Sequence, residues 1–164
     1  MQLVQIARWT LKYDQEATRN AFSHVNRGSP ESCGCANCLN FAAARDRAYT
    51  SDALNIFDML GIDGRKESEI WHAHRDESGL HHYGGFFHLV GTIESGKDAI
   101  QSVKGVWPRP GFIGTYDLEP IGDDFRFGYT SHVVLVPKLF TGRPVTQLEF
   151  QTKVPWLIDL KEST

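Results

Sequence analysis

The stretch Glu69-Ile70-Trp71-His72-Ala73-His74-Arg75-Asp76-Glu77-Ser78-Gly79-Leu80-His81-His82-Tyr83-Gly84-Gly85-Phe86-Phe87-His88-Leu89-Val90-Gly91 decides the fold. Two strand-like runs, 69–75 and 80–93, flank the turn signal Glu77-Ser78-Gly79, and strands joined by so short a turn must run antiparallel. Downstream, 112–118, 124–136 and 145–154 read as further strands, with Glu94-Ser95-Gly96 and Thr141-Gly142-Arg143-Pro144 among the turn signals. Phe125, Phe127, Tyr129, Val133 and Leu135 keep one parity, as a sheet packed on one face requires. Residues 69–156 are thus mainly antiparallel β.

Upstream the period changes. Leu3, Ala7, Trp9, Leu11 and Tyr13 alternate with Arg8, Thr10 and Lys12, which predicts one strand over 2–13 with Gln5 as its misfit. Asp14 can cap a short helix whose apolar face is Ala17, Ala21, Phe22 and Val25, and Arg27-Gly28-Ser29-Pro30 stops it. An alanine-rich helix is expected from Ala36 to about Tyr49. After Thr50-Ser51-Asp52 a second one carries Leu54, Phe57 and Leu60 and ends at Gly61. Residues 14–61 are therefore mainly helical, and the fold class is α+β: a helical N-terminal part packed on an antiparallel sheet. The tryptophan-bearing segments Gly105-Val106-Trp107-Pro108-Arg109-Pro110 and Val154-Pro155-Trp156 read as loops that tuck an aromatic over a core edge.

Residues 1–164 fit a single domain, which at this size buries roughly 70% of the surface of its unfolded chain. The hydrophobic share of 41% is globular, and the 15 glycines follow no collagen-like period. The net charge of −3, with Lys and Arg scattered, offers no stripe for tracking phosphates, so nucleic acid is not expected as a partner. No stretch approaches the ~18 apolar residues of a membrane helix and no basic leader precedes an apolar run, so the expected location is the cytoplasm.

Three cysteines stand in six residues, Cys33-Gly34-Cys35-Ala36-Asn37-Cys38, and an odd, crowded set cannot be paired off as disulfides. Thiolates at i, i+2 and i+5 can converge on one tetrahedral ion if the backbone turns tightly, and Gly34 permits such a turn. A helix starting near Ala36 would aim its positive end at Cys35 and Cys38 and favour the thiolates. The leading reading is a zinc knuckle, structural in role, with Cys33, Cys35 and Cys38 as ligands and His24, nearest in sequence, as the fourth. Two other readings stand beside it: a redox pair at Cys35-Ala36-Asn37-Cys38, which lacks the preceding strand of a thioredoxin-like unit, and inert, packed thiols.

Strand geometry predicts His72 and His74 on one face of 69–75, with His82 and His88 on the adjoining strand able to face them. This run and Glu77 resemble the His-x-His…Glu pattern of cupin metalloenzymes, with Gly84 where that motif has its glycine. The interval from His74 to Glu77 is one residue short, and no second cupin motif follows. The resemblance implies an alternative function, a metalloenzyme built on His72, His74 and His82. A third alternative is a ligand-binding or interaction module without chemistry, using Trp71, Tyr83, Phe86 and Phe87 as stacking surfaces. No phosphate loop or nucleophile-base signature assigns a catalytic residue.

Cys33-Gly34-Cys35-Ala36-Asn37-Cys38-Leu39-Asn40-Phe41, Leu60-Gly61-Ile62-Asp63, Tyr83-Gly84-Gly85-Phe86-Phe87-His88-Leu89-Val90-Gly91 and Pro155-Trp156 together resemble a group of uncharacterised bacterial proteins with a C-x-C-x2-C-x-N motif. The resemblance spans most of the chain. It implies one domain and no particular activity.

Overall fold

The structure, a computed structural model, describes residues 1–101 and 115–162. Its frame is β4 (His81–Ser95), fifteen residues long. Strand β3 (Glu69–Arg75) and strand β9 (Val145–Val154) pair with the first part of β4. Its last residues, from Gly91 to Ser95, pair instead with β2 (Trp9–Tyr13). With β1 (Gln2–Ile6), β8 (Arg126–Thr130) and β7 (Glu119–Pro120) the sheet reads β1-β2-β4-β9-β8-β7, with β3 also on β4, and every pairing is antiparallel. A second small ribbon joins β5 (Ile100–Gln101) to β6 (Thr115–Tyr116). The α+β expectation holds, and 69–75, 80–93 and 145–154 match strands.

The sheet curls strongly. Trp9 on β2 meets Phe127 and Tyr129 on β8 at 5.7 and 5.4 Å between ring centroids, although β4 and β9 lie between them in hydrogen-bonding order. In a flat sheet, three strand spacings of about 4.8 Å would keep those strands ~14 Å apart. The indole N–H donates to Lys97 O at 2.8 Å, so the closure is anchored by a polar contact as well as packing.

Helices fill the concave side. Asp14 caps α1 (Gln15–Ser23), its carboxylate accepting from Ala17 N, and Thr50 caps α4 (Ser51–Leu60), which Gly61 ends at φ 80°. Phe22, Tyr49 and Phe57 pack their rings onto Phe87 of β4, and Tyr49 reaches Phe125 and Phe150 as well. The core is thus an aromatic seam between helices and sheet, with Trp9, Phe41, Phe87 and Leu148 fully buried.

Four expectations change. The strand predicted over 2–13 is a hairpin: Ala7, at φ 51°, and Arg8 turn the chain, so that Ile6 faces Trp9. The inward positions therefore switch from half-buried Val4 and buried Ile6 to Trp9, Leu11 and Tyr13, and Leu3 stays exposed. Gly28-Ser29-Pro30 starts a helix rather than stopping one, because Pro near the first helical position is preset for the turn; α2 is Ser29–Cys33. The helix expected to reach Tyr49 is α3 (Ala36–Ala44), followed by a 3-10 turn at Arg45–Arg47. The strand expected over 124–136 ends at Thr130, since distant polar side chains take the next backbone groups: Asp98 accepts from Ser131 N, Gln147 accepts from Val134 N, and His88 bonds Val134 O. Leu135 then takes φ 50° and points out. The strand expected over 112–118, in part, and the Trp107 segment lie outside the described residues; Trp156 is half-buried against His81.

Candidate metal centre

The knuckle is made by the junction of two short helices. Cys33 is the last residue of α2, Gly34 takes φ 70° as its C-cap, Cys35 is the N-cap of α3, and Cys38 lies in the first turn of α3. A left-handed residue between two helix ends reverses the chain within one residue, and glycine adopts that conformation without strain. The three Sγ atoms come within 4.8 Å of one another, close enough to share one ion. Cys33 and Cys35 are exposed and Cys38 is buried, and all three are free thiols.

The thiols are electrostatically unlike. The backbone N–H of Cys38 lowers the pKa of Cys35, helped by Cys33, Cys38 and the N–H of Asn37 and partly opposed by burial. Burial pushes Cys38 far above the usual thiol range, and the neighbouring Cys33 and Cys35 push it further. A divalent cation among the sulfurs reverses that penalty, because it favours each thiolate it binds. The arrangement suits a soft metal ion better than it suits three bare thiolates.

The surroundings are densely hydrogen-bonded. Tyr83 OH, buried, donates to Asn37 O at 2.9 Å, and burial together with Cys38 and Cys35 pushes its pKa up to about 12. Asn40, one turn further along α3, donates to Pro155 O at 3.1 Å and accepts from Leu157 N at 2.7 Å, so the C-terminal segment is strapped to the cysteine-bearing helix. Arg45 joins Glu31 of α2, 2.6 Å away, to buried Glu67, which it meets through two N–H groups at 2.9 Å. Tyr49 OH donates to the same carboxylate at 2.7 Å. The helix carrying Cys33 is therefore tied down by a buried ion network.

The expectation of His24 as the fourth ligand finds no support in this geometry. His24 sits exposed at the C-cap of α1 with Nδ1 on its own turn, 2.8 Å from Asn20 O, and the group within 4.8 Å contains sulfurs alone.

The histidines do not form one cluster either. A β-bulge between His72 and His74 places His72 opposite Tyr83 and His74 opposite His82, and since Tyr83 and His82 are consecutive on β4 the two pairs face opposite sides of the sheet. Toward the helices, His72 Nε2 bonds buried His81 Nδ1 at 2.9 Å, and His81 Nε2 lies 3.4 Å from Glu162. Burial and His81 lower the His72 pKa. On the other face His74 stacks on His82 at 4.1 Å, and His82 bonds Asp76 at 2.8 Å, beside a cleft of about 380 Å³ that Trp71, Arg126 and Gln151 also line. Of the stacking candidates, Phe86 and Phe87 are buried away from the cleft, and Trp71 lines it together with the buried Tyr83. Among the described residues, the three cysteines alone form a group of three or more metal-ligand side chains at such short range.

No helix is long and apolar enough to cross a membrane among the described residues. No protein-family model matches the chain, and neither a curated protein nor a solved structure matches it.

Proposed function

We propose that this is a zinc-binding protein whose ion is held by Cys33, Cys35 and Cys38 and fastens the end of α2 to the start of α3. The observation that carries the reading is the convergence of the three sulfurs within 4.8 Å across a left-handed glycine. Zinc is the choice of metal because thiolate donors select soft or borderline ions and zinc accepts tetrahedral sulfur geometry without redox change. Free cysteines persist under reducing conditions, which supports a cytoplasmic location.

The test is elemental analysis of protein purified without a histidine tag. About one equivalent of zinc is expected in the wild type, and loss of that zinc in the Cys35→Ala, Cys38→Ala variant. Wild-type protein with three freely titrating thiols and no metal after reconstitution overturns the proposal.

A further inference from the structure

We infer that the zinc centre keeps one coordination position toward solvent and that this position takes the thiolate of a small-molecule thiol. The inference rests on the zinc reading above and names what the site receives. Residues 102–114 and 163–164 contain no His, Cys, Asp or Glu, so every such side chain of residues 1–164 lies among the described residues, and none joins the three sulfurs within 4.8 Å. Tyr83 OH is committed to Asn37 O and the Asn40 amide to Pro155 and Leu157, while the buried Asn37 Oδ1 has no hydrogen-bond partner and, as a neutral amide oxygen, is a hard donor that a sulfur-ligated ion does not favour. Cys38 and the first turn of α3 close the inner side, while Cys33 and Cys35 stand at the solvent boundary. The fourth position of a bound ion would therefore lie on the solvent side, where Cys33 and Cys35 are exposed.

The donor set decides what binds there. Three thiolates on a divalent ion leave a net charge of −1 and an electron-rich metal, which polarises water less than a centre with three neutral histidines does. An electron-rich, sulfur-ligated ion favours another soft donor. As a thiol enters, its S–H bond breaks and a metal–sulfur bond forms. The proton passes to solvent, bound water leaves, and no oxidation state changes. A coordinated thiol is deprotonated outright, so the product is a metal-bound thiolate at a pH where the free thiol stays protonated.

Cobalt(II) in place of zinc makes the ligands visible in the full-length protein, with 2-mercaptoethanol as the probe under anaerobic conditions. The expected result is a saturable rise of about one third in sulfur-to-cobalt charge-transfer absorption, the step from three sulfur ligands to four, with one proton released per cobalt. Imidazole or azide at the same concentration should not reproduce the rise. A cobalt-loaded protein whose spectrum ignores the thiol, or surrenders its metal to it, overturns the inference and leaves the zinc reading standing. So does a thiol-free spectrum that changes in a His24→Ala variant, which would place a protein nitrogen in the fourth position, or a four-sulfur spectrum arising from dimerisation on loading. Failure to take up cobalt at all overturns the metal reading itself, and the thiol site with it.

Discussion

Replacing Asn40 by alanine tests whether the C-terminal strap stabilises the helix that carries Cys38. Asn40 is fully buried, and its amide makes two well-formed hydrogen bonds to the 155–157 segment, at 3.1 and 2.7 Å, besides a longer one of 3.4 Å to Tyr83 OH. Each good bond contributes about 1 kcal/mol net, and leaving the buried phenol and Pro155 carbonyl without this donor adds to the loss, so the expected cost is about 2–4 kcal/mol. For a domain of this size that corresponds to a fall in Tm of roughly 5–15 °C. The assay is thermal unfolding by circular dichroism, repeated in a chain truncated after Val154. If the strap is the route, Asn40→Ala should cost much less in the truncated background, because two of its three partners are already gone. An Asn40→Ala protein melting within 2 °C of wild type, or an equal loss in both backgrounds, would refute the reasoning.

Gly34→Ala should destabilise by about 1–2 kcal/mol through backbone strain, since φ is 70° and an added Cβ meets nothing within 4 Å; denaturant unfolding and zinc affinity should fall together. Glu67→Gln removes the charge opposite buried Arg45, and a loss of about 3 kcal/mol or more in urea is expected, with Glu31 left as the only carboxylate on that guanidinium. Glu149, pushed up to about 7 by burial, makes folding less favourable as pH rises from its unfolded value near 4.5 and reaches its full penalty above 7. Glu149→Gln should thus gain stability over wild type at pH 8 and lose that advantage near pH 4.5, read from paired denaturation curves. His88, whose pKa burial lowers, acts with the opposite sign: its contribution is present above the unfolded histidine pKa of about 6.5 and fades as pH falls below it, so His88→Gln should flatten that acid-side slope.

The parts of the fold that were legible in the sequence are those fixed by neighbours along the chain. Asp14, Thr50 and Gly61 mark helix ends through their own hydrogen bonds or dihedrals, and Glu77-Ser78-Gly79 marks the central hairpin. The first hairpin was concealed because Ala7-Arg8 carries no Gly, Asn, Asp or Pro; the available signal was the change of parity between Ile6 and Trp9. The end of β8 was concealed for another reason. Residues 131–136 have strand composition, and Asp98, His88 and Gln147, far away in sequence, draw the backbone aside. At the site the same division applies. Cys33, Cys35 and Cys38 were readable because their convergence is local, whereas the strap through Asn40 depends on residues more than a hundred positions away. The separation of His72 from His74 turns on a bulge that no local pattern announces.

That locality has a consequence for the order of events during synthesis. The sheet's longest pairing joins His81 to Val154 and Val90 to Val145, contacts that form only after long loops close, and such contacts slow folding. The ligands span six residues near the N-terminus and need only one turn reversal to meet. Under the zinc reading, a nascent chain would capture its ion before β9 has left the ribosome. On the same reading, any affinity that the unfolded chain keeps for the metal would make zinc raise global stability by less than its binding free energy.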